Sequence, residues 1–110
     1  MSDRIKRINE LLKNEIGQIL LREVDLSDVL LTITRVDASP NLQEAKVYVS
    51  TIPDREIDRI FIDLNKQVYS IQQDLNKRLN MRPVPKIKFR KEEMTKQAGK
   101  VEEILKKIKE

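Results

Sequence analysis

Seven cations stand between Leu75 and Lys91 with no carboxylate among them: Lys77, Arg78, Arg82, Lys86, Lys88, Arg90 and Lys91. Charge at that density repels itself in a folded domain, a cost that a polyanion would relieve. Two readings fit, a solvated charged face and a surface for phosphates. The net charge of +4 understates the asymmetry: residues 1–63 hold 9 basic and 12 acidic side chains, residues 64–110 hold 13 and 6. Arg4, Lys6 and Arg7 form a second basic group. Cations in the first turn of a helix oppose its dipole, which favours a functional reason for them.

Few other chemistries are open. The chain has neither cysteine nor histidine, which excludes disulfides, zinc fingers, iron–sulfur clusters and His- or Cys-based nucleophile systems. Gly17 and Gly99 stand alone, so no phosphate loop is built from glycines. The 18 carboxylates form no constellation beside a nucleophile. Asp54, Glu56 and Asp58 fall in a first helical turn, where favourable dipole interactions explain them better than Mg²⁺ does. Tyr48 can stack on a base or pack across strands, and packing is the commoner use. No catalytic residue, metal site or cofactor is expected. With so few aromatics outside the core, any nucleic-acid contact should be to the backbone rather than by base stacking.

The elements that must position these cations follow from periodicity. Of 110 residues, 35 are Leu, Ile, Val or Phe, enough for one core and too many for disorder. Ile5, Ile8, Leu11, Leu12, Ile16, Ile19 and Leu20 make one apolar stripe, predicting a helix from Asp3 to about Glu23 that Ser2 or Asp3 can cap. Val29 to Asp37 is rich in β-branched residues and reads as a strand. Ala38 to Asn41 is a turn, and Glu44 to Thr51 is the second strand of an antiparallel hairpin. Ala45, Val47 and Val49 point to one face of it, Lys46, Tyr48 and Ser50 to the other.

From Pro53 a long helix is expected, with Ile57, Ile60, Phe61, Leu64, Val68, Ile71, Leu75 and Leu79 within one narrow arc. It would run on the order of 40 Å if straight, and no Gly or Pro between Asp54 and Asn80 marks a bend. Pro83 and Pro85 end it. Lys86 to Arg90 alternates as a strand, with Ile87 and Phe89 inward and three cations outward. Three cations on one strand face also suit an edge strand, a structural reason for them. Thr95 to Glu110 is predicted as a final amphipathic helix, whose Lys106, Lys107 and Lys109 complement the helix end. The order read from the residues is αββαβ plus a C-terminal helix, with helices on one sheet face.

The segment TITRVDASPNLQEAKVYVS, Thr32 to Ser50, resembles the central hairpin of the bacterial ribosome-binding factor A family. Arg4 and Arg7, the run RLNMRPVPKIKF from Arg78 to Phe89, and Gly99 ahead of Val101–Leu105 extend the likeness over nearly the whole chain. The resemblance implies an α+β fold of the type II K-homology (KH) kind, order αββααβ, as one domain over residues 1–110. It also implies a cytoplasmic, non-enzymatic assembly factor that binds the immature small (30S) ribosomal subunit and promotes late maturation of 16S rRNA. Two departures stand out. Gln67-Val68-Tyr69 occupies the place of the family's kinking Ala-x-Gly, and the unbroken apolar stripe agrees with a shallow bend or none. Glu92-Glu93-Met94-Thr95 replaces its acidic-x-Ser.

The expected RNA-binding set is therefore Arg4, Arg7, Lys77, Arg78, Arg82, Lys86, Lys88, Arg90 and Lys91, with Arg82 foremost. The expected partner is 16S rRNA in the small subunit, bound by a monomer with no membrane and no small-molecule substrate. The competing expectation is a protein-interaction domain on the same scaffold without direct rRNA contact. No apolar run approaches the ~18 residues of a membrane span.

Overall fold

The computed structural model describes residues 3–23 and 28–92. Helix α1 (Asp3–Glu23) buries Leu12, Ile16, Ile19 and Leu20. Leu11 lies at the margin of that stripe and stays 42% exposed. Strands β1 (Leu30–Ala38) and β2 (Glu44–Ile52) pair antiparallel, from Leu30 opposite Ile52 to Ala38 opposite Ala45. Asn9 of α1 accepts the Ala38 N–H at 2.9 Å, supplying a partner for a donor of the edge strand.

The turn between the strands is held by side chains as its composition suggests. Ser39 Oγ and Asn41 Oδ1 accept the Gln43 N–H at 3.2 and 3.1 Å. Leu42 takes a left-handed backbone conformation, φ 58, which costs a non-glycine residue roughly 1–2 kcal/mol. Its side chain compensates by packing half-buried against the core.

Beyond β2 the chain passes Pro53 into a single 3₁₀ turn (Asp54–Glu56) and then helix α2 (Ile57–Lys66). The Ile52–Pro53 and Arg82–Pro83 bonds are cis. A single long helix does not form: the chain breaks at Gln67 and resumes as α3 (Val68–Arg78). Nine-residue strands span about 30 Å, shorter than the straight helix on the order of 40 Å that the periodicity suggests. Broken, both halves keep their apolar residues on the sheet, and Ile60, Leu64, Ile71 and Leu75 are all fully buried. Phe61 and Val68, from the same arc, are only partly buried.

Strand β3 (Lys86–Lys91) pairs parallel with β2, from Glu44 beside Lys86 to Val49 beside Lys91. The sheet order β1-β2-β3 makes β3 an edge, as its charge suggests. Gln72 of α3 sets where β3 begins. Its amide donates to the Pro85 carbonyl at 3.1 Å, and its Oε1 accepts the Ile87 N–H at 2.9 Å. The helices cover one face of the sheet, meeting Val36, Ala38, Ala45, Val47, Val49, Ile87 and Phe89 in a single core.

The result is an α+β, KH-like fold in the order αββααβ. The predicted helix Thr95–Glu110, the Ser2 cap and the stretch Glu93–Thr95 lie outside the described residues. Among the described residues no helix is long and apolar enough to cross a membrane.

Candidate nucleic-acid interface

The sheet face away from the helices gathers charge from all three strands. Alternation sends Lys46, Tyr48 and Ser50 of β2 to this face, together with Lys86, Lys88 and Arg90 of β3. The register then lines them up across the sheet: Asp37, Lys46 and Lys88 form one row, and Arg35, Tyr48 and Arg90 the next. Arg35 joins the face because of an irregularity between Ile33 and Arg35, where Thr34 has no partner in the register. The extra residue shifts the alternation, so Ile33 and Val36 are buried three positions apart while Arg35 faces out.

Seven of the nine predicted cations fall into three groups. Lys86, Lys88 and Arg90 share the open sheet face, with Lys46 and Arg35 beside them. Among the described residues Lys86 makes no ion pair, and Arg90 Nη1 lies 3.4 Å from the Phe89 carbonyl. Lys88 is paired with Glu44 at 3.0 Å. A second group lies at the end of α3 and in the loop after it: Lys77 and Arg82 are exposed, and Arg82 Nη1 lies 3.5 Å from the Met81 carbonyl. Arg4 and Arg7 form a third, exposed on the first turns of α1.

Besides Lys88, two members of the set are drawn into internal contacts. Arg78 is partly buried and bonds to Glu15 and Gln18 of α1 at 3.2 and 3.0 Å. Lys91 pairs with Asp58 of α2, and its ammonium sits 5.3 Å from the Phe61 ring centre. These two side chains therefore tie elements together as well as carrying charge.

Sequence reasoning left out two cations of the open face. Lys46 was legible, since the pattern of Glu44 to Thr51 already sends it outward with Tyr48. Arg35 was not, because a strict period of two through Val29 to Asp37 cannot show an inserted residue.

Arg35 is also the most constrained cation on the face. Its guanidinium lies 3.9 Å from the centre of the Tyr48 ring, so Tyr48 does pack across strands. Its Nε is 3.4 Å from the Glu92 carboxylate, which is almost wholly buried and also bonds to the Thr34 hydroxyl. At the other end of the face, the Lys88 ammonium beside Glu44 holds that carboxyl below its usual range, through a hydrogen bond first and charge second. Among the described residues, no group of three or more acidic side chains could hold a metal ion.

What this arrangement can do is contact phosphates with separate side chains. A GxxG loop would add backbone amides, and the residues at the helix break, Gln67-Val68-Tyr69, include no glycine.

Comparison with known proteins gives consistent matches. A family model described as ribosome-binding factor A matches residues 4–105. A Halothermothrix orenii protein named ribosome-binding factor A is 36% identical over 109 residues, spanning 97% of this chain and 89% of the relative. The crystal structure of ribosome-binding factor A from Thermus thermophilus superposes with a TM-score of 0.68 at 24% identity, covering 79% of this chain and 94% of that one. Coordinates of a Thermus thermophilus ribosome-binding factor A homology model, fitted into a cryo-EM map of a 30S complex, match with a TM-score of 0.60 at 22% identity, covering 77% and 91%. At these identities the two structures establish the shared fold.

Proposed function

The chain belongs to the ribosome-binding factor A family, and from that footing we propose that it binds the small (30S) ribosomal subunit through rRNA phosphates. It acts stoichiometrically rather than as an enzyme. It holds a premature conformation of 16S rRNA, promotes late maturation, and leaves as the mature form appears. It works as a cytoplasmic monomer.

One observation carries the RNA-contacting surface: the register brings Lys46, Lys88 and Arg90 side by side on the open sheet face, with Lys86 at the start of the same strand. Same-face neighbours along a strand are about 6.6 Å apart, and neighbouring strands about 4.8 Å. A grid of that pitch engages several phosphates at once. Lys77, Arg82, Arg4 and Arg7, all exposed, extend the contact beyond the sheet. The fold shared with the protein fitted into a 30S complex supports the choice of partner.

The test is co-sedimentation with purified small subunits over a range of salt. Changing Lys46, Lys86, Lys88 and Arg90 together to Gln should flatten the log–log salt dependence by about three units, roughly 0.7–0.9 per lost phosphate contact. An unchanged slope with retained binding would transfer the interaction to another surface and support a protein-interaction domain. Absence of binding by the unaltered chain at low salt would overturn the proposal itself.

A further inference from the structure

Phosphate contact explains the lysines of the open face but not the way Arg35 is held. Its charge is already answered by Glu92, and a lysine there would answer it equally well. What the structure adds is a fixed plane. The guanidinium carbon lies over the Tyr48 ring, 3.9 Å from its centre. Glu92 fixes its Nε edge, and Glu92 is itself held in a nearly solvent-free position with a bond to the Thr34 hydroxyl. The Arg35 side chain still keeps 51% of its surface exposed. A planar, weakly hydrated cation held by these two contacts has less rotamer freedom to lose when a partner arrives.

Resting on the reading of this face as an RNA surface, we infer that Arg35 is a stacking platform for one unpaired base, which extends the pile Tyr48–Arg35–base. Guanidinium planes receive splayed RNA bases in this manner, and a base buried in a duplex cannot reach one. The occupant is RNA rather than an acidic protein because of what surrounds the platform. Arg90 lies across Tyr48 from Arg35, and Lys46 and Lys88 fill the adjacent row, so the phosphates flanking the base meet cations. An acidic protein would use the charges and leave the plane idle. The platform therefore gives the surface a preference that bare lysines do not have: for single-stranded nucleotides over a phosphate chain of the same charge.

The experiment compares binding of the full chain to an oligoadenylate and to an abasic ribose-phosphate strand of equal length, by fluorescence anisotropy at fixed salt. The base-bearing strand should bind about tenfold more tightly, the scale of one stacking contact. Arg35→Lys keeps the charge beside Glu92 and removes the plane, so the preference should fall to twofold or less. Tyr48→Leu, which removes the support beneath the plane, should reduce it in the same direction. Circular dichroism of each variant establishes that the fold is kept. If Arg35→Lys and Tyr48→Leu both retain the tenfold preference, the platform is elsewhere and the inference fails. Equal binding of the two strands by the unaltered chain overturns the platform and leaves phosphate binding standing. Binding to neither strand at low salt overturns both.

Discussion

Arg78, the last residue of α3, reaches across to Glu15 in the middle of α1, with 3.2 Å between Nη1 and Oε2. Each side chain is only 25% exposed, so the pair is screened less than an open surface bridge. The guanidinium also bonds to Gln18 Oε1, which makes it a clamp between two helices packed side by side on the sheet.

Arg78→Ala should therefore act mainly on stability. A double-mutant cycle with Glu15→Ala should give a coupling of about 1 kcal/mol in urea unfolding. The salt dependence of subunit binding should change by less than one unit of slope. A slope that falls by a full unit, with no coupling, would return Arg78 to the RNA-contacting set.

Gln72 carries a larger predicted effect from a residue with no charge. Its side chain bonds to both the Pro85 carbonyl and the Ile87 N–H, and Ile87 is 2% exposed. Gln72→Ala leaves that N–H without its partner in a place water reaches poorly, a loss of about 1–3 kcal/mol. Amide exchange at Ile87 should accelerate more than at Val47 in the central strand. Equal acceleration at both would mean that Gln72 supports the fold generally rather than the start of β3.

These two residues show where sequence ends as a guide. Local pattern made the strands legible: Ala45, Val47 and Val49 alternate, as do Ile87 and Phe89, and all are buried. The outward cations of β3 followed from the same period. Nothing local tells that Arg78 has a partner 63 positions away, or Lys91 one 33 positions away. The break at Gln67 was hidden for a different reason. A missing glycine suggests continuity only if the break needs a left-handed residue, and Gln67 sits at φ −104, ψ 4, which any L-residue can adopt. Both halves bury their apolar residues on either side of the break, a tertiary outcome that local pattern does not show.

Gly17 offers a gain rather than a loss. It lies inside α1 with a helical backbone, and a Cβ built there meets no atom within 4 Å. Gly17→Ala removes the entropic penalty of glycine in a helix without any clash, and should stabilise the protein by roughly 0.5–1 kcal/mol. Thermal unfolding would show a higher midpoint; a lower one would mean that α1 needs flexibility at this point.

Glu44 gives the sheet face a measurable response to acid. Lys88 beside it holds the carboxyl below its usual range, with Lys46 and Arg90 adding smaller effects in the same direction. A carboxylate whose folded-state pKa is depressed favours the folded state once the unfolded chain has also lost its proton. That contribution is present at neutral pH and is lost as pH falls through the depressed value. In a carbon-detected NMR titration, the Glu44 midpoint should lie below that of an ordinary glutamate and rise towards it in Lys88→Ala. RNA shifts the balance in a way that separates the two roles of Lys88. If Lys88 stays on Glu44 when RNA binds, the Glu44 midpoint remains depressed in the complex. If the lysine swings to a phosphate, Glu44 loses its hydrogen-bond donor and gains a nearby negative charge, and its midpoint rises. A rise on adding oligoadenylate is expected, because a phosphate competes for the same ammonium at no cost in burial on a face this exposed. A midpoint that stays fixed while RNA is bound would show Lys88 to be a structural cation, leaving Lys46, Lys86 and Arg90 as the phosphate contacts of the sheet.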